Sequence, residues 1–229
     1  MRAYTSLAGH ILGSHPQING YYEMHLSYEY PAALDKQLAL YQQSDALKPN
    51  SRYLFDKLLH NDYVLQSERM EMVECKILLS LAQPERTIQS IVHLYRQKDG
   101  EELYASPVAA ADYYMARVKS LVEFSRDHPQ GYTYFDAELL QHAPEVLLPK
   151  LSAWLELDSP LSERYALFSQ TGKVGKGDSS ERIHRGSIDK TKSDYSHIAI
   201  PQDLLAAAQT VYRECRERII AGAVDSVTF

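Results

Sequence analysis

The chain has 229 residues, 45% of them hydrophobic, enough to bury the core of one large domain or of two small ones, one being the better reading. Its 30 acidic and 24 basic residues give a net charge of −6, which excludes a general nucleic-acid binder, because affinity for polyanions rests on an excess of Lys and Arg. Cys75 and Cys215 lack the spacing of a disulfide framework or a zinc site, which fits a reducing cytoplasm, and no stretch reaches the roughly eighteen apolar residues of a membrane span.

Thr5 to Gly13 reads as a short helix with Leu7, Ile11 and Leu12 on one side, ended by Gly13 and broken by His15-Pro16. A Tyr-rich, strand-like stretch follows at Tyr21 to His25, then a helix over Ala32 to Gln43 and a short strand over Tyr53 to Lys57. Lys76 to Leu81 is a continuous apolar run, as expected of a strand buried on both faces of a parallel sheet. The next helix carries Ile88, Ile91, Val92 and Tyr95 at i, i+3, i+4 and i+7, with Pro84 in its first turn. Val108 to Phe124 predicts a helix, Tyr132 to Phe135 a strand and Pro144 to Leu155 another helix. The segment 171–197 is rich in Gly, Ser, Lys and Asp and reads as a long loop, a feature that is uncommon without a function. Leu204, Ala208, Val211, Cys215 and Ile219 trace the inner stripe of a final helix. Strands alternating with helices predict one α/β domain over residues 1–229.

Four groups of residues could carry chemistry. Arg2, Thr5 and Ser6 stand where the first helix begins, so they either grip an anion at its positive end or simply cap it. Arg86 and Ser90 lie four apart on the helix after the buried strand; they either hold one phosphate together or form a solvated face. Glu23 and His25 offer a carboxylate and an imidazole, either of which could serve as a general base. Residues 172–180, GKVGKGDSS, could fold over an anion or form a surface loop, but they are no Walker A motif, because Gln170 replaces the first glycine and Gly177 follows Lys176. An ATPase reading therefore fails. No G-x-S-x-G, H-E-x-x-H or G-x-G-x-x-G pattern occurs.

In order and separation these segments resemble the sulfotransferase family, a P-loop fold, in its bacterial branch. The family's R-S-G-T-S loop and L-x-x-x-L-x-S-H-P-x-I motif correspond to Arg2-Ala3-Tyr4-Thr5-Ser6 and to Ile11 through Ser14-His15-Pro16-Gln17-Ile18, followed by Glu23. Its buried strand, R-x-P and downstream Ser correspond to Ile77–Leu81, Ala82-Gln83-Pro84 and Ser90. Tyr134-Phe135-Asp136 is similar to its strand ending Y-E-D-L, and Gly177-Asp178-Ser179-Ser180 through Gly186-Ser187-Ile188 to the loop that closes over the nucleotide.

The resemblance implies a parallel sheet flanked by helices, N-terminally truncated because only Met1 precedes Arg2 where a first strand is due. It implies 3′-phosphoadenosine-5′-phosphosulfate (PAPS) as co-substrate, its phosphosulfate end at Arg2, Thr5 and Ser6, its 3′-phosphate at Ser90 with Arg86, and Tyr134 and Lys173 in the same pocket. The sulfuryl group would pass in line to a hydroxyl or amine of a small-molecule, glycan or lipid acceptor, with no metal required. Glu23 would act as base with His25 and His60 as alternates, and Lys57 would stabilise developing charge. Three departures matter: Tyr4 replaces the loop glycine, Ala82 replaces the arginine of R-x-P, with Arg86 one turn later as its candidate substitute, and most seriously the first strand is missing. They leave a non-catalytic binding or structural relative open beside the enzyme. The absent strand also predicts an unpaired edge that favours homo-oligomers.

Overall fold

The computed structural model describes residues 3–70, 73–98, 103–173, 181–191 and 193–229. In chain order the elements are α1 (Thr5–Ser14), β1 (Ile18–Asn19), α2 (Ala32–Gln42), β2 (Tyr53–Leu54), β3 (Ile77–Leu81), α3 (Pro84–Arg96), α4 (Pro107–Asp127), β4 (Tyr132–Asp136), α5 (Leu139–His142), α6 (Pro144–Trp154), α7 (Gln202–Gly222) and β5 (Asp225–Val227). Single 3₁₀ turns lie at Ser67–Arg69 and Glu181–Arg185. The class is α/β, with parallel sheets flanked by helices. The stretch from Tyr21 to His25 lies outside any strand, and β5 is an element its sequence did not announce.

The described residues divide into two compact units. One comprises Ile77–Glu138 and Thr191–Phe229, with Ala3. Its three-stranded parallel sheet runs β3-β4-β5, with Leu79 opposite Tyr134 and Tyr134 opposite Ser226. Helices α3, α4 and α7 pack together around Ile88, Ile91, Val92, Tyr114, Val118 and Ile219, all almost wholly buried. Tyrosines reach this interior because each phenol finds an acceptor: Tyr114 donates to the Ala82 carbonyl at 2.8 Å and Tyr132 to the Ile219 carbonyl at 2.6 Å.

The second unit comprises Tyr4–Lys76 and Leu139–Lys190, with the short parallel pair β1-β2 beside α1. The S-H-P-Q turn after α1 has a structural reason. Lys48 Nζ donates to three carbonyls around it, those of Gly13, of His15 at 2.9 Å and of Ile18 at 2.6 Å. His15 Nε2 meets Ser159, while Gln17 and Asp158 exchange two hydrogen bonds at 2.8 and 3.0 Å. The turn thus closes both the end of α1 and the chain leaving α6.

Close approach fixes the helix against the returning chain. A Cβ on Gly13 would lie 2.5 Å from the Gly20 carbonyl oxygen, and one on Gly9 would overlap that of Tyr21. In an unconstrained helix interior Gly→Ala is favourable by about 1 kcal/mol. Here the contact reverses the sign, and Gly13→Ala is expected to destabilise by roughly 1–3 kcal/mol. Urea-unfolding midpoints check this; a stabilised variant would show that α1 is not seated on residues 20–21.

Candidate functional site

The second unit holds two features of chemical interest. The first is the start of α1. Tyr4, its N-cap, lies in the left-handed region with φ 56° and ψ 16°, and its own side chain makes no cap hydrogen bond. That conformation favours glycine, yet here the residue is Tyr. The phenol of Tyr4 is led aside, donating to Gln141 Oε1 at 3.2 Å. Neither Thr5 nor Ser6 serves as the N-cap, and the first-turn N–H groups have no partner within the helix. Ser6 is buried and Thr5 partly so.

The second feature is the group around Glu23. This carboxylate is 6% exposed, and its Oε1 is buried yet accepts no hydrogen bond among the described residues. Two imidazoles flank that oxygen, His25 Nδ1 at 3.7 Å and His60 Nε2 at 3.7 Å. His25 adopts φ 56°, uncommon for a residue other than glycine. The Tyr63 ring touches both imidazoles, with centroids 5.7 Å from His25 and 6.3 Å from His60. Beneath them Asp56 accepts from the Met24 N–H at 2.9 Å, the Lys57 N–H at 2.7 Å and the Tyr28 hydroxyl at 2.6 Å. Burial pushes the Asp56 carboxyl above the usual carboxylate range; those three donors oppose the rise and the charge of Glu23 adds to it. Lys57 is itself buried.

In the first unit, Arg86 and Ser90 on α3 both face the segment 193–195. Arg86 donates to the Ser193 carbonyl at 3.1 Å and lies over the Tyr195 ring, and the Ser90 hydroxyl lies 3.4 Å from that of Tyr195. Tyr134 is wholly buried and donates to Asp136 at 2.7 Å. Ala82 is buried too, so no side chain at that position extends towards a ligand. At the carboxyl end of β4, Arg216 grips Asp136 with two hydrogen bonds of 2.7 Å, and the Phe229 N–H adds a third donor. Burial raises the Asp136 carboxyl, but Arg216, Tyr134 and Phe229 outweigh it and hold the group below its ordinary range. Glu138 nearby accepts from the Gln83 N–H at 2.7 Å, and burial raises its pKa. A cleft of about 230 Å³ opens here, lined by Gln83, Tyr212, Arg213, Arg216 and Phe229.

Of the residues singled out from sequence, Glu23, His25 and His60 come together, and Lys57 adjoins Asp56 in their neighbourhood. Thr5 and Ser6 belong to the same unit as these, whereas Arg86, Ser90 and Tyr134 belong to the other. Lys173 is exposed. Arg2 and the loop residues 174–180 lie outside the described residues. Asp56, Glu138 and the Asp136–Arg216 pair were not read from sequence, because a lone carboxylate gives no pattern and the partners of Asp136 lie 80 and 93 residues away.

No family model matches the chain, and no curated protein does. Among solved structures the chain is similar to a sulfotransferase domain from the curacin biosynthetic pathway, with a TM-score of 0.56 and 15% sequence identity over 94% of each chain. At that identity the likeness is one of fold.

The raised pKa of Asp56 has a thermodynamic consequence. Between the ordinary Asp value of about 3.9 and its higher folded value, the folded state binds the extra proton, so this contribution to stability is full at low pH and is lost as pH rises through the folded value. Asp56→Asn keeps an acceptor for both backbone N–H groups and removes the titration. The wild-type advantage over Asp56→Asn in urea midpoint is therefore expected to shrink from about pH 4 towards neutrality. A difference that does not vary with pH would contradict the shift.

Proposed function

We propose that the chain transfers a sulfuryl group from PAPS to a hydroxyl or amine of a small-molecule, glycan or lipid acceptor. One observation carries this reading: a single compact unit holds both a helix N-terminus that is entered through a left-handed residue whose side chain does not cap it and a buried carboxylate flanked by two imidazoles. The likeness in fold to a sulfotransferase domain supports it.

The residues at the start of α1 suit a phosphosulfate. Helix N–H groups and the positive end of the dipole favour anions, and the left-handed turn at Tyr4 presents backbone rather than side chain. Thr5, Ser6 and Arg2 would complete the contact. The acceptor oxygen attacks sulfur in line, the bond from sulfur to the bridging phosphate oxygen breaks, and adenosine-3′,5′-bisphosphate departs with the electron pair. Glu23 takes the acceptor's proton. Lys57, with Lys173, balances charge developing on the leaving oxygens. Within the first unit, Arg86 and Ser90 are the residues of α3 that suit an anion. Tyr134, by its bond to Asp136, would hold the carboxyl end of β4 rigid.

A non-catalytic relative that keeps the fold is the second reading, favoured by Ala82, which brings no guanidinium to the R-x-P position. Calorimetric titration with adenosine-3′,5′-bisphosphate, run beside transfer of labelled sulfate to sugar, lipid and phenol acceptors, separates the two. The enzyme reading expects nucleotide binding and turnover, with Glu23→Gln lowering turnover by roughly 10²–10⁴-fold at nearly unchanged nucleotide affinity. Binding without turnover selects the second reading, and absence of both removes the nucleotide altogether.

A further inference from the structure

We infer that His25 and His60 form the proton outlet of Glu23, carrying the acceptor's proton from the buried carboxylate to solvent. The inference rests on Glu23 being the general base. Its starting point is a contrast in exposure: the Glu23 side chain is 7% exposed, whereas those of His25 and His60 are 40% and 41% exposed. A buried base that accepts a proton on each turnover must release it, and burial closes the direct route to water. Both imidazoles stand 3.7 Å from the same oxygen, Oε1, too far for a hydrogen bond in this state but within reach after a small side-chain adjustment.

Three further observations agree. Oε1 accepts no hydrogen bond among the described residues, an arrangement that is costly for a purely structural carboxylate. His25 holds a left-handed backbone conformation, a form of strain found at functional sites. The Tyr63 ring contacts both imidazoles and so sets their spacing.

The step balances without an oxidant or reductant. The proton leaving the acceptor oxygen binds Glu23, moves to an imidazole nitrogen and passes to water, restoring carboxylate and neutral imidazole. Among the described residues, the titratable groups recorded around Glu23 are His25 and His60 at Oε1 and Asp56, which shares its field, with buried Lys57 next to Asp56 in the chain. An imidazole that is already protonated pairs with a carboxylate and cannot accept a further proton.

Two measurements test the outlet. In the H25A/H60A double variant, kcat is expected to fall by roughly 10²-fold at unchanged KM for the donor, and added free imidazole is expected to restore most of it. Loss without rescue, or no loss, overturns the inference. The second measurement needs no turnover: thermal midpoints of wild type and H25Q/H60Q are compared at about pH 5.5 and about pH 8, with and without Glu23→Gln. The deficit of the histidine variant is expected to be larger at the lower pH and to lose that pH dependence when Glu23 is Gln. A pH-dependent deficit that survives Glu23→Gln shows that the imidazoles do not act on Glu23 and overturns the outlet alone. Coupling without wild-type turnover on any acceptor overturns the sulfuryl-transfer reading and the outlet with it.

Discussion

The ammonium of Lys48 meets the carbonyls of Gly13, His15 and Ile18, and the second unit is organised around this contact. A helix end leaves carbonyls unpaired, and a chain that turns at once into a strand leaves more; burying them unsatisfied would cost several kcal/mol by the usual estimate of about 1–3 each. One charged donor answers all three. The cost falls on the lysine, since burial lowers its pKa while Asp45 opposes the fall. The turn then delivers the chain to β1 and, beyond it, to Glu23. Gly9, Gly13 and Gly20 complete the constraint by letting backbone meet backbone where any Cβ would intrude.

Buried carboxylates in the two units are treated differently. Asp136 is saturated, with a bidentate arginine, a phenol and a backbone N–H all directed at it. Such a group is locked in its charged form and holds β4, α7 and the chain after β5 together. Glu23 has imidazoles standing off at 3.7 Å and, among the described residues, no hydrogen bond on its buried oxygen. Asp136 has nothing left to exchange, whereas the buried oxygen of Glu23 is left without a hydrogen bond among the described residues.

Tyr4 holds a backbone conformation that favours glycine. A left-handed conformation costs a residue with a Cβ roughly 1–2 kcal/mol, and the Tyr4 hydroxyl bond to Gln141 offsets part of it. Ala82 is a different case. Its carbonyl is engaged by Tyr114, which serves packing, and the side chain that the pattern expects has no counterpart there.

Much of the architecture was legible from the chain alone, because period and punctuation are local properties. The run Ile77–Leu81, the stripe through Ile88, Ile91 and Val92, and the break at His15-Pro16 each declare an element without reference to the rest, and alternation of such elements declares an α/β fold. Glu23, His25 and His60 could be picked out by residue type. That two imidazoles reach one oxygen of one carboxylate could not, since His60 lies 37 residues beyond Glu23 and only the fold brings it back. The same holds for Arg216 on Asp136 and for Lys48 under the S-H-P-Q turn, whose motif reads as a signature in sequence and proves to be a set of long-range hydrogen bonds. Strand β5 escaped notice because three residues carry too little pattern, and its pairing is set by β4. Sequence by itself determined which segments become helix or strand, because that depends on neighbours in the chain. Tertiary structure alone decided which polar groups meet, because burial and hydrogen-bond distance depend on neighbours in space.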